Sequence, residues 1–259
     1  MSDTPIPPSV PEPPLVSAEP SCGPTPRRSR WRPVRVLWEW VKSMTTALAL
    51  FFLVRSFLVE AFKIPSGSME GTLLVGDFLL VNKLVYGAEV PFTGAHLPAV
   101  KAPDRGEVIV FKWPVDPTVD FVKRVVGLPG DTVGMTDGVL QRNGRPVKER
   151  YTSHTEPGSD PAGEEFRWQQ QYLVRRAKAL PSYHPSRNNW GPIVVPPRHL
   201  FVLGDNRDNS LDSRYWGFVP DSLVKGRPLL VYFSYAPDSS SPVAFLTNVR
   251  WRRLGLRVR

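Results

Sequence analysis

Apolar and polar positions divide this chain into two regimes, one long apolar stretch and then many short ones. Ser43 to Val54 carry no charge, and apolar character resumes after Arg55 as far as Phe62. Together they give about 20 residues, roughly 30 Å of helix, which matches the hydrocarbon thickness of a bilayer. The apolar region of a cleaved leader, or a buried core helix, gives a run of similar length. Two features favour a retained anchor. Bulky Phe57, Leu58 and Phe62 follow the uncharged core where a small-x-small cleavage site would be needed. Lys42 and Arg55 sit where their long stems can snorkel toward water. The pattern predicts one transmembrane anchor over residues 37–62.

Beyond Phe62 the runs become short, branched and aromatic. Phe78 to Val81, Val108 to Phe111, Phe121 to Val126, Leu200 to Leu203 and Leu229 to Tyr235 read as strands. Gly76-Asp77, Pro103-Asp104 and Gly127 to Gly130 punctuate them as turns. Val139 to Lys148 reads as a hairpin around Asn143-Gly144, a strong two-residue turn signal. Thr152 to Trp190 mix Pro, Gly and charge with weak periodicity, which predicts a loop-rich insertion. There is no internal repeat and no convincing amphipathic helix, so the region after the anchor is expected to be mostly β.

Composition narrows the partners. Hydrophobic residues make up 41% of 259, too few for a multi-spanning membrane protein. The formal charge of +9 suits either nucleic acid or an anionic membrane surface. Its distribution favours the membrane and argues against nucleic acid. Arg27, Arg28, Arg30, Arg32 and Arg35 precede the anchor, which predicts a cytoplasmic N-terminus and an external remainder. A second cluster (Arg250, Arg252, Arg253, Arg257 and Arg259) reads as a solvated basic tail or a lipid-facing one. Met1 to Pro26, rich in Pro, Ser and Glu, reads as disordered. The sole cysteine, Cys22, forbids an intramolecular disulfide. His96, His154, His184 and His199 lack ligand-like clustering, so neither a zinc site nor any other metal is expected.

Three segments carry candidate chemistry: Ile64 to Glu70 (with Ser66-Gly67-Ser68-Met69), Lys123 to Asp131, and Gly204 to Arg214. Taken singly, the first reads as a turn, the second as a strand ending in a turn, and the third as a polar loop. A calcium loop is the sharper alternative for the third. It fails because Arg207 stands at the third position from Asp205 and no glycine stands at the sixth. The address of the first segment is suggestive, since Ser68 lies at most roughly 20 Å of extended chain from the end of the anchor.

In this order after a single anchor, the three segments resemble those of the bacterial type I signal peptidases, the leader peptidases of family S26. The resemblance runs from the anchor through Pro220 and weakens in the insertion and the basic tail. It departs at Gly71, where the family usually has proline, a residue that would stiffen the chain behind Ser68. The implied fold is mostly β: an antiparallel catalytic β-domain of the signal peptidase/SOS-repressor type, with a smaller β insertion, preceded by one N-terminal transmembrane helix. The domains expected are a disordered basic cytoplasmic tail (1–36), the anchor (37–62), a catalytic domain (63–131 and 200–259) and the insertion (132–199).

The resemblance implies Ser68 as nucleophile and Lys123 as general base, with Ser66 joining the Ser68 backbone N–H at the oxyanion and Ser210 orienting the lysine. It implies Asp205, Asp212 and Arg214 as supporting charges. Phe62, Ile64, Val110, Phe121 and Val122 match positions lining shallow pockets for small residues at the first and third positions before the cut. Ordinary β core is the plainer reading of those five. A free lysine, with pKa near 10.4, is useless as a base at pH 7. Burial lowers that value, and alternation puts Phe121, Lys123 and Val125 on one strand face, an apolar setting.

The activity implied is a membrane-bound serine endopeptidase that removes signal peptides from secretory preproteins after Ala-X-Ala-type sequences, by a Ser/Lys acyl-enzyme and without a cofactor. The implied location is the inner (plasma) membrane, single-pass, with the catalytic domain on the extracytoplasmic side. Two alternatives compete. A self-cleaving SOS-type repressor would need a helix-turn-helix where this chain has a Pro-rich tail. A catalytically inactive, membrane-tethered β domain would act as a binding module and keep the motif as a relic.

Overall fold

The computed structural model describes residues 32–87, 97–156, 158–174, 183–237 and 243–259. The expected disorder of Met1 to Pro26, the arginines 27, 28 and 30, Cys22 and His96 all lie outside the described residues.

The apolar stretch forms helix α1, Arg32–Leu53, and a π-helical turn, Val54–Leu58, follows it. Arg35–Leu53 is long and apolar enough to cross a membrane. The helix starts before residue 37 and ends well short of Phe62. Val59–Lys63 is instead strand β1, paired antiparallel to β2 (Asp77–Asn82) from Val59↔Asn82 to Lys63↔Phe78. Glu60 explains the change. It is charged, lies mid-strand, and its carboxylate meets Lys83 at 3.3 Å. Residues 48–259 form one compact unit, and the N-terminal part of α1 belongs to a separate one.

Within the larger unit, β3 (Val108–Lys112), β4 (Asp120–Gly127), β9 (His199–Leu203), β10 (Val219–Pro220) and β11 (Val224–Ser234) join β1 and β2. They make a seven-stranded antiparallel sheet in the order β1-β2-β11-β3-β4-β9-β10. A second sheet, ordered β7-β6-β5-β8, is built from β5 (Thr132–Thr136), β6 (Val139–Arg142), β7 (Arg145–Pro146) and β8 (Trp190–Val194). Its strands fall within residues 132–199, and all of their residues but Trp190 lie outside the Thr152 to Trp190 stretch read as loop-rich. Asn143 and Gly144 make the β6–β7 turn with φ of 54° and 76°, the double positive φ that a two-residue hairpin turn requires.

Strand β3 has the continuous apolar run of a strand buried on both faces. Val108 and Val110 face a core with Ile64, Met69, Leu79 and Val231, while Ile109 and Phe111 face another with Val125, Leu200 and Val224. A third core, centred on Val126, Val133, Trp190, Ile193 and Phe201, joins the two sheets.

The C-terminal arginines do not all form a free tail. Arg253 forks onto Asp77 at 3.0 and 2.6 Å, and Arg250 donates to the Val75 carbonyl at 2.9 Å. Val258 is buried in the same core as Met69. Asp77 is fully buried, so its charge demands such a partner.

Candidate active site

Ser68 sits on a single 3₁₀ turn, Gly67–Met69, just past the end of β1. Met69 is buried under the turn, and its carbonyl accepts from Leu73 N–H at 2.8 Å. The Ser68 carbonyl accepts the Asn206 N–H at 3.1 Å, tying the turn to the 204–214 loop. Ser66 Oγ lies 3.4 Å from Ser68 Oγ, within hydrogen-bond reach.

Lys123 stands mid-strand on β4, opposite Ile109 of β3. Only 4% of it is exposed. Its Nζ donates to Ser68 Oγ at 2.9 Å and to the Val122 carbonyl at 3.1 Å. The expected alternation holds on this strand: Phe121 and Val125 pack in one core and Val122 against another. Burial pushes the Lys123 amine down to about 8; Asp212 and Asp205 oppose that shift, and Arg214 adds to it.

The 204–214 loop supplies buried charge pairs. Asp212 and Arg214 are both fully buried and meet at 2.8 Å through a bidentate fork, and Gly204 N–H donates to Asp212 at 3.0 Å. The guanidinium of Arg214 holds the Asp212 carboxyl below its usual range against the opposing effect of burial. Asp205 is forked by Arg124 at 2.7 and 2.6 Å and accepts from Thr72 Oγ1 at 2.6 Å. Gly204 has no room for a side chain, because a Cβ there would collide with Ser210 Oγ and the Ser68 carbonyl.

Ser210 departs from expectation. Its hydroxyl is buried beside the Asp212 carboxylate, which it helps to hold in the charged form, and it is the Val122 carbonyl and Ser68 that hold the Lys123 amine. Val110 departs too. It is fully buried in the β3 core, whereas Phe62, Ile64, Phe121 and Val122 line the cleft in front of Ser68 and Lys123. That cleft has a volume of about 380 Å³, and Ser66, Asn209 and Leu211 also border it. Among the described residues, no group of three or more His, Cys, Asp or Glu side chains is arranged to hold a metal ion.

A family model described as signal peptidase, peptidase S26, matches residues 37–233. The chain belongs to this family. Signal peptidase I of Pseudomonas aeruginosa is 42% identical over 217 residues, covering 78% of this chain and 74% of that protein. Signal peptidase I of Pseudomonas fluorescens is 42% identical over 232 residues, covering 83% and 78% respectively. A crystal structure of a signal peptidase I from Enterococcus faecalis is 29% identical, with a TM-score of 0.33 over 50% of this chain and 98% of that one. The protein is therefore a peptidase that cleaves signal peptides from preproteins, and the repressor and binding-module alternatives fall away.

Sequence reasoning missed Arg124. It is almost fully buried and gathers Asp205, Thr72, the Gly106 carbonyl and the Arg259 carbonyl. The usable signal was its position inside an apolar strand, where an arginine requires a carboxylate partner. Gly204 and Asn206 were missed for lack of any signal beyond their loop, since both act through the backbone.

Proposed function

We propose that Ser68 and Lys123 are the catalytic dyad of this signal peptidase. The observation that carries the reading is the 2.9 Å contact between Lys123 Nζ and Ser68 Oγ in a buried setting. Lowering the amine from 10.5 to about 8 raises its neutral fraction at pH 7 from about 1 in 3,000 to about 1 in 10. A neutral amine accepts the Ser68 proton as the hydroxyl attacks the scissile carbonyl. The Ser68 N–H and Ser66 Oγ then stabilise the oxyanion, each donor worth about 3 kcal/mol. The lysine returns its proton to the departing amine of the mature protein. The acyl-enzyme is hydrolysed by a water that the same lysine activates.

Specificity follows from the cleft and from β1, which is an edge strand of its sheet. An extended peptide can pair with an exposed edge. Its first and third residues before the cut then point to the same face, because side chains alternate along a strand. Phe62, Ile64, Phe121 and Val122 crowd that face, so small side chains of the Ala-X-Ala type fit and larger ones clash. The α1 helix anchors the protein in the inner (plasma) membrane lipid as a single pass. Arg32 and Arg35 at its start favour a cytoplasmic N-terminus, which leaves the catalytic unit on the extracytoplasmic side where preproteins emerge.

The pH dependence tests the base. Only neutral Lys123 is competent, so kcat/KM for a preprotein rises about tenfold per pH unit on the acid side and levels off above about 8. An acid limb centred near 6.5 would point to a histidine and contradict the assignment.

A further inference from the structure

Resting on that reading of the site, we infer that Arg187, in the insertion, is a positioning residue that fixes the 204–214 loop behind Ser68. Arg187 is only 2% exposed and reaches across from the insertion. Its guanidinium donates to the Asp208 carbonyl at 3.0 Å, to the Ser159 carbonyl at 2.5 Å and to Glu156 at 3.3 Å, and it lies 3.4 Å from the Asp208 carboxylate. Its own carbonyl accepts from Arg214 at 3.4 Å, and its N–H donates to the Pro161 carbonyl at 2.9 Å. One side chain of the insertion thus grips the loop at residue 208 while its backbone meets the loop again at 214.

Residue 208 lies midway between the two loop positions that touch the site. Two residues earlier, Asn206 N–H holds the carbonyl of Ser68. Two residues later, Ser210 packs beside Gly204 and the Ser68 carbonyl. The insertion adds bonds in the same direction: Ser153 N–H to the Asp205 carbonyl at 2.8 Å, Arg207 N–H to the Ser153 carbonyl at 3.0 Å, and Glu156 N–H to the Asp208 carboxylate at 2.9 Å. The Asp208 carboxylate also faces His154 at 3.4 Å. Of these groups only Arg187 is a buried guanidinium, with one terminal nitrogen on the Asp208 carbonyl and the other facing its carboxylate, and two such contacts fix direction as well as distance. Ser153, Glu156 and Arg187 of the insertion thereby serve as a brace for the catalytic geometry. Arg187 itself borders no part of the cleft and acts only through the loop, whose Asn209 and Leu211 do border it, so the effect expected to dominate is on the chemical step beside Ser68.

The test is steady-state kinetics of preprotein cleavage by the full-length chain in detergent micelles, with near-ultraviolet circular dichroism confirming the fold at the assay temperature. Arg187→Gln is expected to lower kcat about 10- to 100-fold, the size of effect that a displacement near 1 Å produces, and to leave KM within about threefold. The acid limb of kcat/KM is expected to move to higher pH as water enters beside Lys123. Arg187→Lys keeps a charge opposite Asp208 but lacks the planar fork, so its kcat is expected to fall between the two. Arg198→Gln, the same change at an exposed insertion arginine, is expected to retain wild-type kinetics. A folded Arg187→Gln or Arg187→Lys protein with kcat within twofold of wild type would overturn the inference, as would a loss confined to KM. Lys123→Ala in the same assay separates the two claims: if it stays active, the dyad fails, whatever Arg187 does.

Discussion

Lys123→Met is expected to give a protein that no longer cleaves preproteins and yet melts at a higher temperature. Methionine fills a similar volume without a charge. The shift of the lysine from 10.5 to about 8 corresponds to about 3 kcal/mol spent on keeping a cation buried. Losing the hydrogen bonds to Ser68 and the Val122 carbonyl offsets about 1 kcal/mol of that. The remainder corresponds to a rise of about 4–8 °C for a chain of this size. The gain depends on pH. Below about 8 the folded protein carries the buried charge and the penalty is fully present. Between 8 and 10.5 the unfolded chain binds the extra proton, so wild-type stability climbs with pH and the advantage of the variant fades. Melting curves of both proteins at pH 7 and pH 10 check this. A variant less stable than wild type at pH 7 would contradict it.

Gly71→Pro, which restores the residue usual at this position in the family, is expected to be destructive. Gly71 has φ of +109°, whereas proline is locked near −65°. A Cβ at this position would also lie 2.9 Å from the Tyr151 carbonyl. The backbone cannot rotate to accommodate the ring without moving Met69, the neighbour of Ser68, and Thr72, which bonds the Met69 carbonyl and donates to Asp205. The expected cost is about 3 kcal/mol or more, together with loss of cleavage. Melting temperature and preprotein turnover measure it, and a stabilised, active Gly71→Pro protein would contradict the backbone conformation. The glycine therefore makes the segment behind Ser68 differently shaped, and the packing against Tyr151 keeps it fixed.

Much of the sheet was readable because its strands are apolar and bounded by turns, as at Val108 to Phe111 and Phe121 to Val126. Strand β1 was not. Val59 to Phe62 continues the composition of the helix, and only pairing with β2 makes it a strand. Strands β5 and β8 were hidden by Gly134, Gly191 and Pro192, residues that ordinarily mark loops. Here Gly134 lets the two strands pack closely, since a Cβ would lie 3.0 Å from the Trp190 carbonyl. The meeting of Ser68, Lys123 and the 204–214 loop is a tertiary event that no local pattern encodes, and it was anticipated only through the family resemblance. Val110 shows the limit of that resemblance: on a strand buried on both faces, a pattern of valines does not separate cleft from core. Arg124, Arg253 and Arg187 were illegible because each is explained by a carboxylate distant in sequence.

The most direct measurement is cleavage of one purified preprotein by wild type, Ser68→Ala, Lys123→Ala and His199→Ala under identical conditions. His199 bonds the Pro197 carbonyl at 2.8 Å and does not border the cleft. The first two variants are predicted to lose at least about 10³-fold in turnover, the scale of a lost nucleophile or general base, and the third to keep most of it. Turnover persisting in Lys123→Ala, or vanishing in His199→Ala, would contradict a serine–lysine dyad.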